Sequence, residues 1–137
     1  ELFKDVKISY ESNWMDLHLK SLQSAYRSSP YFEYFEDDFI KLYSEKEKFL
    51  VDFNIKCIKL IYNLLDIDLN FKISNEYIEK TNDIIDLRDL SNARKEKKIE
   101  TPKYIQVFES KHGYINNLSI LDLIFSEGPN SVSLITN

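Results

Sequence analysis

Apolar residues recur every three or four positions over three stretches of the first half of the chain. This spacing predicts three helices, each with one buried face. The first helix begins at Asn13, a residue type that caps helix N-termini, and ends at Ser29. Its predicted face consists of Trp14, Leu17, His18, Ser21, Leu22 and Ala25. The second helix covers residues 31–43, after Pro30, and the third covers about 45–65 with a stripe formed by Leu50, Phe53, Asn54, Cys57, Ile58, Ile61 and Leu65.

Outside these stretches the pattern predicts shorter elements. Alternating apolar and polar residues predict strands at 2–10, 69–73 and 103–109, with an extended segment or short helix at 83–90 and a charged, solvated loop at 93–100. Ser119 and Asp122 have capping-box spacing, which predicts a helix of about two turns that ends at Gly128 and Pro129. The predicted fold class is mainly α with a few short β-strands: three longer helices plus one short C-terminal helix.

Composition and charge narrow the class of protein. The 137 residues are 43% hydrophobic and 14% aromatic, enough for the core of a single domain over residues 1–137. The net charge of -5 and the mixing of acids with bases argue against nucleic acid as a partner. No apolar run approaches the roughly 20 residues that cross a bilayer, so no membrane span is predicted. The single cysteine, Cys57, cannot form an internal disulfide, which fits the cytoplasm.

Several ordered motifs carry a resemblance to a known family. They are W-x-x-x-H (Trp14 and His18), S-A-Y-R-S-S-P-Y-F-E-Y at 24–34, D-F-N at 52–54, Y-I-Q-V-F at 104–108 and N-L-S-I-L-D-L-I-F-S-E-G-P at 117–129. Together they resemble the WbqC-like protein family of bacteria, in the shorter form common among Bacteroidetes. The resemblance implies that residues 1–137 are the C-terminal two-thirds of such a protein, and that the intact member is an α/β protein whose sheet the short strands complete.

The resemblance also implies a role in the biosynthesis of surface-polysaccharide sugars, because the family takes its name from O-antigen gene clusters. It supplies no catalytic residues, so the candidates come from the residue types themselves. His18 shares a predicted helix face with Trp14 and Leu22, which favours burial and either a structural role or a ligand-binding or acid/base role. His112, in a more accessible loop, either is the second acid/base candidate or only begins a turn. The HxH, HExxH and CxxC spacings are missing, so no metal site is predicted.

Arginine is scarce in this lysine-rich chain, and a planar guanidinium suits two-pronged binding of an anion. Arg27 and Arg88 lie in tightly patterned stretches. Each either binds a carboxylate or phosphate of a ligand, or pairs with an acid of the protein such as Asp86, Asp122 or Glu33. The helix end at Ser119 also suits an anion. We therefore hypothesise that the two arginines share an anion site with this helix end, near Asn117 and Asp122.

Other polar and aromatic candidates lie within apolar surroundings. Asn54 falls on the stripe of the third predicted helix and Gln106 in an otherwise apolar strand. Because buried amides need partners, each either ties the backbone together or faces a cleft. Tyr31 belongs to an aromatic cluster around Pro30, which serves either core packing or stacking on a sugar or base. Cys57 is expected to be a packed core thiol.

Two classes of function follow. The first, implied by the resemblance, is a cytoplasmic enzyme or enzyme fragment that transfers an acyl or aminoacyl group to an activated amino sugar, with Arg27, Arg88 and the Ser119 helix end holding an anion and His18 or His112 moving a proton. The second is a non-catalytic helical module that recognises a protein partner through its aromatic surface. The pattern is compatible with a sugar or nucleotide-sugar ligand and with a homo-oligomer. It names no cofactor and does not decide whether the protein is catalytic.

Overall fold

The protein is mainly α-helical, as predicted. The computed structural model describes residues 2–74, 76–79, 85–88 and 101–136. A 3-10 turn at Phe3–Asp5 precedes three longer helices, and shorter ones follow later in the chain. The helices are α1 (Trp14–Tyr26), α2 (Phe32–Ser44), α3 (Leu50–Leu64), α4 (Glu109–His112), α5 (Ile120–Glu127) and α6 (Ser131–Thr136), with a 3-10 turn at Gly128–Asn130 between the last two. None of the helices in the described part of the chain combines the length and apolar character needed to cross a membrane.

The prediction of short strands is wrong for the residues that the structure describes, which contain no strand. Residues 2–10 form the 3-10 turn and a single isolated antiparallel bridge between Lys7 and Phe49. Residues 69–73 are irregular, and residues 103–108 lead irregularly into α4. Alternation alone does not make a strand, because a strand needs a neighbouring strand to pair its backbone groups. Segment 83–90 lies partly, and segment 93–100 wholly, outside the described residues.

Helix α1 forms where predicted, but the row that packs inward matches the predicted face only in part. It consists of Met15, which is buried, and of Leu19, Leu22 and Tyr26, which are partly buried, at spacings of three and four. Trp14 and Leu22 of the predicted face also pack against the core. Leu17, on the predicted face, is 64% exposed, and His18 is exposed as well. The observed row contains only large, largely apolar side chains, whereas the predicted row included His18 and Ser21. Rotation of the helix toward the more apolar row explains the difference.

Phe125, on α5, is fully buried at the centre of the core. Its ring centroid lies 5.0 Å from that of Phe32, 5.3 Å from that of Phe39 and 5.0 Å from that of Tyr26. Full burial of one such side chain contributes about 1.5–3 kcal/mol. The C-terminal segment therefore docks against α1 and α2.

Both ends of α5 follow the predicted signals. The Ser119 hydroxyl accepts a hydrogen bond from the backbone N–H of Leu121 at 3.3 Å, and Gly128 ends the helix with a positive φ of 53°. The short helix α6, which follows Pro129, was not predicted. The sequence Ser-Val-Ser-Leu-Ile-Thr is too short to show a helical repeat, so only contact with the rest of the protein defines it.

Helix α3 begins at Leu50, several residues later than predicted, because the N-terminal segment holds the preceding loop extended. The backbone N–H of Ile8 donates to the carbonyl of Lys48 at 3.1 Å, and the N–H of Leu50 donates to the carbonyl of Val6 at 2.9 Å. Phe53 on α3 is buried, but Asn54 is exposed. The prediction that Asn54 lies within a buried stripe is therefore wrong. It stands at the edge of the apolar face instead.

Candidate functional site

A cleft of about 300 Å³ opens where the N-terminal segment crosses α1 and the start of α3. We call it the His18 cleft. Its lining consists of Lys7, Ile8, Trp14, His18, Leu50, Phe53 and Asn54. The backbone pairing between residues 6–8 and 48–50 places Lys7 and Ile8 against α3. The cleft thus brings together two residues selected from the sequence, His18 and Asn54.

The Trp14 ring forms a fixed wall of this cleft. Its indole Nε1 donates a hydrogen bond to the backbone carbonyl of Ser9 at 2.9 Å. The edge of one ring faces the plane of the other between Trp14 and Phe53, with centroids 5.6 Å apart and an interplanar angle of 88°. The indole also stacks with the ring of Tyr10, with centroids 5.9 Å apart. These three contacts hold the indole, so the wall exists before any ligand arrives.

His18 lies one helical turn after Trp14, and the expectation that it is buried is wrong. Its imidazole is exposed, with its ring centroid 5.1 Å from that of Trp14 and 6.0 Å from that of Tyr43, both in edge contact. Within the described residues no carboxylate forms an ion pair with it. An imidazole held by rings and open to solvent can donate or accept a hydrogen bond and can exchange a proton with a ligand.

Asn54 and Lys7 add the other polar groups of the cleft. Both residues are exposed. The amide of Asn54 offers two donors and an acceptor, and Lys7 offers a positive charge. A ring face, an amide, an imidazole and an ammonium group are therefore available to one small polar ligand.

A second, larger hollow of about 430 Å³ lies beside the start of α5. Of the residues selected from the sequence, Asn117 and Ser119 line it, together with Tyr104 and Leu123. The backbone of Asn117 has a positive φ of 56°, as its residue type allows. The Ser119 hydroxyl already accepts the capping hydrogen bond from Leu121, so the helix end is partly satisfied within the protein.

Asp122 is buried and tied to tyrosine hydroxyls. Its Oδ2 accepts a hydrogen bond from the Tyr104 hydroxyl at 2.8 Å, and Asp122 is only 2% exposed. Burial, followed by the charge of Asp122, raises the pKa of Tyr26 to about 12, and burial together with the hydrogen bond to Asp122 also raises the pKa of Tyr104. The carboxylate therefore connects α1, the segment before α4 and α5.

The two arginines pair with different acids. Arg27, the residue after α1, is exposed, and its Nη2 lies 3.2 Å from Oε1 of the half-buried Glu36 on α2. Arg88 holds Asp86 with two prongs, through Nε at 2.8 Å and Nη2 at 2.9 Å, and its guanidinium lies 5.0 Å from the ring centroid of Tyr77. Arg88 thus pairs with Asp86, one of the acids that the sequence analysis named. Arg27 pairs with Glu36, which the sequence analysis did not name. Neither arginine lines the His18 cleft.

The remaining selected residues lie elsewhere. Gln106 is buried and pairs with the backbone of Ile115, donating from Nε2 to the carbonyl at 2.7 Å and accepting from the N–H at 2.9 Å. Tyr31 donates its backbone N–H to the carbonyl of Phe125 at 3.0 Å. His112 is exposed at the end of α4, with its ring centroid 6.5 Å from that of Phe108. Gln106 thus has the backbone-tying role that was one of its two alternatives.

Sequence reasoning missed Lys7 and Phe53 as lining residues. Lys7 reaches the cleft through a long-range backbone bridge to Phe49, which no local pattern reveals. Trp14 offered a signal, because it is the single tryptophan and stands one helical turn before His18. Cys57 packs against the core as expected, and burial raises the pKa of its thiol. In the described part of the chain no group of three or more His, Cys, Asp or Glu side chains could hold a metal ion.

Comparison with known proteins identifies the family. No curated protein and no solved structure matches the chain significantly. The model of the WbqC-like protein family matches residues 1–98. That range is more than half of the chain and contains α1, α2, α3 and every lining residue of the His18 cleft. The chain therefore belongs to the WbqC-like protein family.

Proposed function

We propose that the His18 cleft binds an activated amino sugar and that the protein acts on this sugar during the synthesis of surface polysaccharides, including O-antigen. The observation that carries the proposal is the exposed imidazole of His18, fixed against Trp14 in one cleft with Asn54. Family membership supports the choice of sugars over other small polar molecules. The proposal places the reaction in the cytoplasm, where activated sugars are made.

The chemistry of the cleft suits a sugar. A pyranose has apolar C–H faces that pack on aromatic rings and hydroxyl groups that need hydrogen-bond partners. The rings of Trp14 and Phe53 provide an apolar surface, and the amide of Asn54 provides hydrogen-bond donors and an acceptor. The ammonium group of Lys7 at the same cleft suits the phosphate of a nucleotide sugar.

The proposed reaction is transfer of an acyl or aminoacyl group from an activated ester or thioester to the amino group of the sugar. The amine attacks the acyl carbon, so a C–N bond forms as the C–O or C–S bond to the leaving group breaks. His18 accepts the proton that the amine loses and passes it to the departing oxygen or sulfur. Of the residues selected from the sequence, this mechanism uses only His18 and Asn54.

Binding can be tested residue by residue with isotope-labelled protein and NMR titration of a nucleotide-linked amino sugar. The proposal predicts shifts at Trp14, His18 and Asn54. Replacing His18 with Gln is expected to weaken binding roughly tenfold, because a hydrogen bond to a ligand is lost. His112→Gln is the matched control: it alters the other histidine, also exposed but outside the cleft, and is expected to leave affinity unchanged.

An equal effect of the two histidine variants would contradict the proposal. Two results together would favour the non-catalytic interaction module instead. Titration with nucleotide sugars and acyl thioesters would leave every cleft resonance in place, and another protein would co-purify stably with the chain. Turnover is tested separately, by following acyl transfer to the amino sugar. His18→Gln is expected to abolish that turnover even when the sugar is saturating.

A further inference from the structure

We propose that residues 67–73, after α3, form a pairing surface for the same segment of a second copy of this chain. The segment contains no helix, turn, bend or positive φ, so its backbone is extended. Among the described residues, no backbone group of residues 68–74 forms a hydrogen bond. An extended segment with unpaired backbone groups is a ready partner for another extended segment. It shares no residue with the His18 cleft, so the proposal is independent of the proposed function.

Apolar and polar side chains alternate along this segment, so an extended backbone places them on opposite faces. The apolar face consists of Ile67, Leu69, Phe71 and Ile73, and the polar face of Asp68, Asn70 and Lys72. The first half of the apolar face is partly covered, because Ile67 packs against the core and Leu69 is half-buried. The second half is open: Phe71 is 44% exposed and Ile73 is 68% exposed. Exposure of adjacent large apolar side chains on one face favours contact with a partner.

Antiparallel pairing of two copies about Asn70 gives both halves of the apolar face a suitable neighbour. Residues directly opposite each other in an antiparallel pair lie on the same face. The exposed Phe71 of one copy then lies opposite the half-buried Leu69 of the second copy. In the same way Ile73 of one copy lies opposite Ile67 of the second copy. Each copy covers the open half of the other, which is the self-complementary arrangement that a two-fold symmetric dimer requires.

Charge favours the same register. Pairing about Asn70 places Asp68 of each copy opposite Lys72 of the other, so two cross-strand ion pairs form. Within one chain these two residues are about 13 Å apart along an extended backbone, too far to pair with each other. Among the described residues neither of them forms an ion pair. The dimer therefore pairs two charges that the single chain leaves unpaired.

The neighbouring registers are less favourable. Pairing about Phe71 places Lys72 opposite Asn70 of the second copy, and both ion pairs are lost. Pairing about Leu69 places Lys72 opposite Asp66, but Asp66 has a positive φ of 52° and does not belong to the extended segment. A shift by a single residue would place apolar side chains opposite polar ones. The register about Asn70 alone matches both the apolar residues and the charges.

Sedimentation velocity over a range of protein concentrations tests the pairing through its charges. The unaltered protein is expected to show a reversible equilibrium between monomer and dimer. Asp68→Lys and Lys72→Asp each bring like charges together and are expected to weaken dimerisation roughly tenfold. The double variant, Asp68→Lys with Lys72→Asp, exchanges the charges and is expected to restore it. A monomer at every concentration, a dimer that neither single variant weakens, or a double variant as weak as the single ones would overturn the proposal.

Asn70→Cys and Ser74→Cys form a matched pair that tests the register. Asn70 lies opposite Asn70 of the second copy, so thiols at this position come within reach of a disulfide. The two copies of Ser74 lie about 27 Å apart along the paired segments. Under mild oxidation Asn70→Cys is expected to form a covalent dimer on non-reducing electrophoresis. Ser74→Cys and the unaltered protein, whose Cys57 is half-buried, are expected not to do so. Equal cross-linking of the two variants, or none with Asn70→Cys, would contradict the pairing.

Discussion

The ring of Tyr31 lies so close to Gly128 that a Cβ added to the glycine would stand 2.5 Å from Cδ1 of the tyrosine. The backbone N–H of Tyr31 also donates to the carbonyl of Phe125, three residues before Gly128. Two distant motifs, S-S-P-Y-F and F-S-E-G-P, thus meet in the folded protein. Tyr31 can therefore be understood as a residue that fastens the start of α2 to the end of α5.

Gly128→Ala is expected to destabilise the protein strongly. The new methyl group would overlap the Tyr31 ring, and Gly128 has a positive φ of 53° that an L-residue adopts at a cost. Together these effects should lower the free energy of unfolding by about 2–4 kcal/mol. Urea unfolding followed by circular dichroism measures the change.

Gly113→Ala is the control for that measurement. Gly113 has a positive φ of 73°, but nothing lies within 4 Å of an added Cβ. Only the strain of the positive φ remains, so the free energy of unfolding is expected to fall by about 1 kcal/mol. If the two variants lose equal stability, the contact between Tyr31 and Gly128 is not what holds these segments together.

Stability is expected to fall as the pH rises from 10 toward 12. Burial and the Asp122 carboxylate raise the pKa of Tyr26 from its ordinary value of 10.0 to about 12, and they also raise the pKa of Tyr104. Between these pH values the folded protein binds more protons than the unfolded chain, so unfolding becomes easier as the pH increases. The stabilisation is fully present below the unfolded pKa and is lost as the pH passes the folded pKa.

Urea unfolding at neutral pH and at a pH between those two values tests this dependence. Tyr26→Phe should reduce the slope of the unfolding free energy with pH, because the group that holds the extra proton is gone. Tyr34→Phe is the matched control, since Tyr34 is on α2 and 79% exposed. A Tyr34 variant that flattens the slope as much as the Tyr26 variant would assign the effect to general alkaline unfolding.

Gln106→Leu is expected to destabilise the protein by about 1–3 kcal/mol. The substitution introduces an apolar side chain of similar size and leaves both backbone groups of Ile115 without their partner. Gln23→Leu is a useful comparison, because Gln23 donates a single hydrogen bond to Glu36 Oε1, which Arg27 also contacts. Thermal unfolding of both variants should show the larger loss for Gln106. A larger loss for Gln23 would mean that the Ile115 contacts contribute little.

The sequence predicted the longer helices because their apolar residues repeat with helical spacing, and Ser119 and Gly128 marked the ends of α5 correctly. It predicted the inward face of α1 only in part, because that face depends on the helices packed against it. Met15 and Leu19 face the core, and Leu17 does not.

The alternation of apolar and polar residues wrongly predicted strands for a related reason. Residues 103–108 have no pairing strand among the described residues, and the side chain of Gln106 takes the place of one.

The candidate site was predictable only in part. His18 and Asn54 were selected as polar residues on apolar stripes, and both proved to line one cleft, although they are exposed. Their meeting depends on the N-terminal segment, whose backbone bonds to residues 48–50 build the third side of the cleft. The arginines illustrate the converse. Their scarcity drew attention to them, but local acids, Glu36 and Asp86, lie within ion-pair distance of Arg27 and Arg88.

Trp14 should report on occupancy of the His18 cleft. It is the only tryptophan, so intrinsic fluorescence comes from a single indole that lines the cleft. Binding of a nucleotide-linked amino sugar replaces water beside the ring, and the emission maximum is expected to move to shorter wavelength. Asn54→Ala should raise the ligand concentration needed for this shift by roughly three- to tenfold while leaving the spectrum of the free protein unchanged, because the amide is exposed. Asn63→Ala, an exposed asparagine on the same helix outside the cleft, is the control. If saturating ligand leaves the emission spectrum unchanged, or if the Asn63 variant behaves like the Asn54 variant, the sugar does not bind in this cleft.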